Sequence, residues 1–299
     1  MPSEKRAGLA MFIVASALTF PADAFAGAWA QPENTIYAKL SYAKSSATRQ
    51  YKGSGGKQPL LTDDIPGSFD GDSVGLYVEY GLLPKLTVFG TTQVMSSELD
   101  SDIERAEVRG LGDVLVGARY QVLDAPLVLA VSSSFKAPTG YAPDHGLLRP
   151  TLGNGVPEAD LRLLVGKSFY PVPMYFSAEA GFRWRGDRPT PGGTDTVDFS
   201  NELPYSAELG YQVALKNKHI NWLLFRGALN GVWGLGDPSE LNALSLTPPT
   251  QRFTKVGPSV IVGVLNKLEL NVDYMYTVAG DNTLESHDVF VGLAIKTTL

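Results

Sequence analysis

Cysteine is missing from all 299 residues. That excludes disulfides, thiol nucleophiles and thiolate metal sites. Histidine is scarce, with His145, His219 and His287 far apart, so imidazole chemistry has few places to arise. After the first thirty residues no apolar run is long enough for a transmembrane helix. Neither sign of charge dominates: 25 Lys and Arg stand against 31 Asp and Glu, a net of −6, and the cations are scattered. Such a chain carries no electrostatic footprint for nucleic acid. What it has instead is 31 glycines and 20 prolines, the punctuation of a chain with many turns.

Residues 110–140 show what lies between the turns. Val114, Val116, Ala118, Tyr120 and Val122 alternate with Asp113, Gly117, Arg119 and Gln121. A period of two reads as a strand with one apolar and one wet face. Asp124-Ala125-Pro126 breaks the run, and Leu127, Leu129, Val131 and Phe135 then alternate with Ala130, Ser132, Ser134 and Lys136. So short a break makes the two strands antiparallel neighbours. Each is roughly ten residues long, what a tilted strand needs to cross a bilayer and longer than most soluble strands.

The same pattern recurs along the chain. Strands are expected at about 34–45, 72–80, 86–96, 114–122, 127–136, 159–169, 174–185, 204–215, 221–235, 253–265, 268–279 and 287–299. Five short turns alternate with six longer connections, including a polar loop over 48–70, an acidic loop over 97–109 and loops over 137–157, 186–202 and 236–252. An even strand number, short turns on one side and long loops on the other describe an all-β, twelve-stranded antiparallel outer-membrane barrel. Closure requires the last strand to pair with the first, because an open edge in lipid would leave backbone groups unsatisfied. The last strand, Val289 to Lys296, also resembles the signal read by the barrel-assembly machinery, although it ends in Leu299 rather than an aromatic residue.

Residues 1–26 read as a secretory signal peptide: basic Lys5 and Arg6, an apolar stretch from Leu9 to Phe20, and Ala24-Phe25-Ala26 as a small-x-small cleavage site. A retained amino-terminal anchor and cleavage after Ala30 are the alternatives. The barrel then occupies 27–299, in outer-membrane lipid.

Several blocks together resemble the exported proteins of the meta-pathway phenol-degradation family: Gly27-Ala28-Trp29-Ala30-Gln31-Pro32, Gly110-Leu111-Gly112-Asp113-Val114 through Tyr120, Pro138-Thr139-Gly140 and Val289 to Lys296. The resemblance spans nearly the whole mature chain. It implies an outer-membrane transporter barrel linked by name to aromatic catabolism, and it supplies no catalytic residues.

Chemistry is thin elsewhere. Gly71-Asp72-Ser73 resembles the start of a hydrolase block, but no strand-to-helix elbow surrounds Ser73 and no histidine stands in a hydrolase-like setting. Asp63, Asp64, Asp70 and Asp72, and Asp100, Asp102 and Glu104, are acidic groups without the spacing of a calcium loop. Neither a metal nor a cofactor is expected.

The wet faces are more informative. Lys39, Glu79, Arg119, Lys136, Arg162, Glu179, Arg183, Glu208, Arg226, Lys255, Glu269, Asp273 and Lys296 all fall inward in this register. So many charges in a narrow barrel must pair or stay solvated. They either stiffen the lumen or select permeants by field and width. Tyr37, Tyr77, Phe89, Tyr175 and Phe290 also point inward, as filler or as an aromatic lining. The function expected is passive passage of a small molecule, aromatic ones among the candidates, with no reaction catalysed. The alternative is a closed barrel acting through its external loops 48–70, 138–157 and 236–252; an outer-membrane hydrolase is the outsider. A plug of a few residues would leave no periodic trace.

Overall fold

The computed structural model describes residues 27–53, 55–61, 66–141, 150–189, 196–215, 218–237, 248–265 and 267–299. The proposed signal peptide, Asp63, Asp64, His145 and parts of the loops at 138–157 and 236–252 lie outside them.

Twelve antiparallel staves form among the described residues: β1 (Thr35–Ala47), β2 (Gly67–Leu83), β3 (Leu86–Ser101), β4 (Arg105–Leu111 and Val114–Leu123), β5 (Val128–Ala137), β6 (Glu158–Ser168), β7 (Met174–Arg185), β8 (Glu202–Ala214), β9 (Ile220–Gly234), β10 (Arg252–Val264), β11 (Leu268–Asp281) and β12 (His287–Thr298). The two parts of β4 both pair with β3, so they are one stave broken at Gly112-Asp113. The barrel closes as expected: β12 runs antiparallel to β1 from Thr35 opposite Thr298 to Ser46 opposite His287. With every neighbour paired there is no edge to satisfy in lipid.

Polarity is inverted relative to a soluble domain. Leu40, Leu76, Val116, Leu163, Val272 and Leu293 are among many large apolar side chains exposed on the outside, while Glu79, Arg119, Glu202 and Arg226 are buried. An exposed apolar surface of this extent is a lipid-facing belt. No helix of the described residues is long and apolar enough to cross a membrane; the strands cross instead.

Two expected loops are corrected. The acidic stretch 97–109 is mostly sheet, with β3 running on to Ser101 and β4 starting at Arg105. Here the outer face is wet, with Glu98 paired to Arg105 at 2.8 Å, and the inner face carries buried Met95, Leu99 and Ala106. The alternation persists with reversed polarity, as in a half-solvated soluble sheet. Within 48–70, Arg49–Tyr51 and Lys57–Pro59 pair with each other, Arg49–Tyr51 also pairs with Thr283–Leu284, and β2 already starts at Gly67. This three-stranded cap sits at the long-loop end. It is anchored by Leu60, Leu61, Phe69, Leu99 and Leu284, all buried together.

Candidate functional site

The lumen is built by the period of two: on each stave, alternate residues turn away from lipid and meet inside. Most of the resulting charges are paired. The longest network runs across β4 to β8. Lys136 holds Asp113 and Glu158, each at 2.9 Å. Arg183 reaches Glu158 at 3.5 Å, Asp160 at 2.8 Å and Glu202 at 3.1 Å. Arg185 pairs with Glu202 at 2.7 Å, and Arg162 joins Asp160 at 2.7 Å to Glu179. The signs interleave, so this wall is strongly polar while its net charge stays small.

Three further ion-paired groups lie on the inner wall. Arg226 pairs with Glu208 at 3.0 Å and with Asp273 at 2.6 Å, and Lys255 pairs with Asp288 at 2.5 Å. Nearer the short turns Arg119 and Glu79 pair at 2.9 Å, with side chains 1% and 0% exposed. Lys39 is buried, and Glu269 accepts a bond from Tyr37 at 3.3 Å. Lys296 is exposed, close to the end of the last stave and outside the enclosed lumen.

The five aromatic candidates separate rather than forming one lining. Tyr37, Tyr77 and Phe89 pack together on the β1–β3 wall. Tyr175 meets Trp29 edge-on at 6.1 Å, and Phe290 is buried with Ala43 and Met275.

Asp113, Glu158, Asp160, Arg185, Glu202 and Asp288 join the ion pairs as well, beyond the inward set expected from the sequence. Glu158 and Glu202 fell just outside the expected strands, beside Pro157 and Pro204. Asp113 and Asp160 were visible by parity alone, one residue from an outward Val114 and two from Arg162.

The other unforeseen part of the lumen is the segment before β1. From Pro32 the chain turns into the short-turn mouth and runs inward. Gln31 N donates to Thr87 Oγ1 at 2.8 Å, Gln31 Nε2 donates to Glu79 Oε2 at 2.6 Å, and Ala30 N donates to Gln121 Oε1 at 2.6 Å. Ala28 is fully buried against Val128, Ala130 and Leu164, with Trp29 packed on the same cluster. Trp29 fits because residue 166 is glycine: a Cβ there would lie 2.7 Å from Trp29 Cη2. The segment is therefore a plug from the amino terminus, not from a loop.

Beyond the plug, toward the long loops, lies a cavity of about 180 Å³. One side is the ionic wall of Asp113, Lys136, Glu158 and Arg183; another carries Phe253, Met275, Phe290 and Val232 with the Lys255–Asp288 pair among them. It presents hydrogen-bonding groups and apolar surface to the same small volume.

Among the described residues no serine–histidine pair supports the hydrolase reading. Ser73 is buried on the inner face and His287 is exposed on the outer face, where its Nδ1 meets Tyr274 Oη at 2.7 Å, so the barrel wall separates them. His219 sits in a short turn. Among the described residues no cluster of His, Asp and Glu is arranged to hold a metal ion.

No protein-family model matches the chain, and no curated protein matches it. Solved structures do. The COG4313 outer membrane channel from Pseudomonas putida F1 is 17% identical with a TM-score of 0.63, covering 90% of this chain and 97% of that one. The translocator domain of the autotransporter NalP from Neisseria meningitidis is 12% identical with a TM-score of 0.47, covering 89% of each chain. The CymD monoaromatic hydrocarbon channel is 8% identical with a TM-score of 0.42, covering 90% of this chain and 89% of that one. The first of these shows that the chain shares the outer-membrane barrel fold.

Proposed function

We propose that this barrel is an outer-membrane channel through which small amphipathic molecules, aromatic ones included, diffuse down their gradients, and that its amino-terminal segment sets the width of the path. The observation that carries this reading is the cavity of about 180 Å³ between an ion-paired wall and one that mixes apolar side chains with the Lys255–Asp288 pair, stacked above the plug. A solute with a ring and one polar group satisfies both walls. A wholly apolar solute strips water from the ionic wall without replacing its hydrogen bonds, which costs free energy. A free ion meets interleaved charges that are already matched to one another, so neither sign is drawn strongly into the pore.

On this reading residues 1–26 are a signal peptide, the barrel-assembly machinery inserts 27–299 into outer-membrane lipid, and the capped long-loop end faces outward. The resemblance to the meta-pathway phenol-degradation family supports an aromatic permeant, and the fold shared with the P. putida channel suits passive passage. Diffusion requires neither a catalytic residue nor a cofactor.

Liposome swelling tests the reading. Phenols and small aromatic acids should enter barrel-containing vesicles faster than sugars of similar mass. Rates equal to those of protein-free vesicles for every solute would overturn it in favour of a closed barrel working through its outer surface.

A further inference from the structure

We infer that the chain is cut between Ala26 and Gly27, and that the α-ammonium freed there is held inside the lumen by the carboxylates of Glu179, Glu208 and Asp273. This rests on the export reading above, but not on the channel being open.

Gly27 is not at the mouth of the barrel. It is the deepest described residue of the plug, and it lines a small cavity of about 40 Å³ together with Glu179, Glu208, Asp273, Arg226 and Ser177. Three carboxylates and one cation surround that space. Arg226 is committed to Glu208 and Asp273, and Glu179 to Arg162. A further positive charge at residue 27 is therefore attracted rather than repelled, and among buried side chains that attraction is screened less than at a surface. A processed amino terminus supplies that charge, being mostly protonated at neutral pH.

The seat is also shaped for an end. A Cβ at residue 27 would stand 2.9 Å from Trp29 Cε3 and 3.4 Å from Ser177 Oγ, so glycine fits with Trp29 already docked on Gly166. A leader still attached to Gly27 would have to continue through the lumen, carrying the apolar stretch Leu9 to Phe20 past buried carboxylates. Cutting after Ala30 instead would remove Ala28 and Trp29 and leave their buried contacts on Val128, Ala130, Leu164 and Gly166 unfilled. The packing favours the earlier cut.

The test uses full-length precursor expressed in a Gram-negative host and purified from its outer membrane. Intact mass and amino-terminal sequencing should give a chain starting at Gly27; a start at Gln31, or a retained leader, would overturn the inference. The folded protein is then treated with 2-pyridinecarboxaldehyde, which is selective for α-amines, beside a sample unfolded by boiling in detergent. A latched amine should react on the order of tenfold or more slowly in the folded barrel, and faster again in a folded Glu208→Gln/Asp273→Asn variant. Equal rates in folded and boiled wild-type protein would overturn the latch whether or not that variant folds. Neither readout involves conductance, so a barrel silent in bilayers would defeat the channel reading and leave this one standing.

Discussion

Trp29 occupies the space that a side chain at position 166 would need, since a Cβ on Gly166 would lie 2.7 Å from its Cη2. Plug and wall are complementary at that point, so changes on either partner should have the same effect. Trp29→Ala removes about 2 kcal/mol of apolar burial, enough to shift the docking equilibrium roughly thirtyfold toward the undocked plug. Gly166→Leu should do likewise by occupying the seat. Both variants should conduct more than wild type in planar bilayers, and an increase in one without the other would separate Trp29 from its proposed seat.

Arg119 and Glu79 form a fully buried ion pair, as Arg185 and Glu202 do, and Glu79 also accepts bonds from Tyr77 Oη at 2.5 Å and from Gln31. Arg119→Met leaves a buried carboxylate without its cation, a change that costs about 3–5 kcal/mol. Adding Glu79→Gln should recover much of the loss. Urea unfolding in detergent, followed by the heat-dependent shift on gels, measures both; equal stability of the single variant and wild type would contradict the pairing.

Arg183 is the hub of the ionic wall, shared among Glu158, Asp160 and Glu202. Arg183→Gln should leave the wall anionic and draw cations into the pore. The reversal potential across a KCl gradient should move toward the potassium value, and Glu179→Gln should move it the other way. A common shift in both variants would show that the wall does not set selectivity.

Glu285 fastens the outer cap. Burial raises its carboxyl, but hydrogen bonds from Lys57 and Tyr276 and the nearby charges of Lys57 and Arg49 outweigh that and hold it below its ordinary range. Tyr51 lies under Lys57, with the ammonium 5.0 Å from its ring centroid, and Arg49 Nε stands 3.6 Å from Glu285. Because the folded value is lowered, this stabilisation is complete above the ordinary glutamate pKa of about 4.3. It is lost as the pH falls through the lower folded value. Hydrogen exchange at residues 49–59, corrected for intrinsic rates, should therefore accelerate in acid in wild type and be fast at all pH values in Glu285→Gln. A cap equally protected in both would contradict the role given to Glu285.

The barrel was legible because lipid and lumen impose opposite demands on successive residues, and Val116, Gly117, Ala118 and Arg119 record this directly. The charged wall was legible in part. Arg162 and Arg183 were found on their parity, whereas Glu158 and Glu202 were hidden because prolines at 157 and 204 resemble loop punctuation while a paired strand runs beside them. Above the lipid belt the pattern survives with its polarity reversed, so Glu98 and Asp100 looked like a loop. The plug left no signal at all. Trp29 docks against Gly166, 137 residues away along the chain, and such a contact has no local repeat to announce it.

The most direct test is single-channel conductance of the mature 27–299 barrel in planar bilayers, compared with a chain lacking 27–31 and with a panel of small aromatic and aliphatic solutes on one side. The account predicts small discrete steps for the mature barrel, larger steps for the shortened one, and block by aromatic solutes with a polar group. Silence from both chains, each shown to be folded, would contradict it.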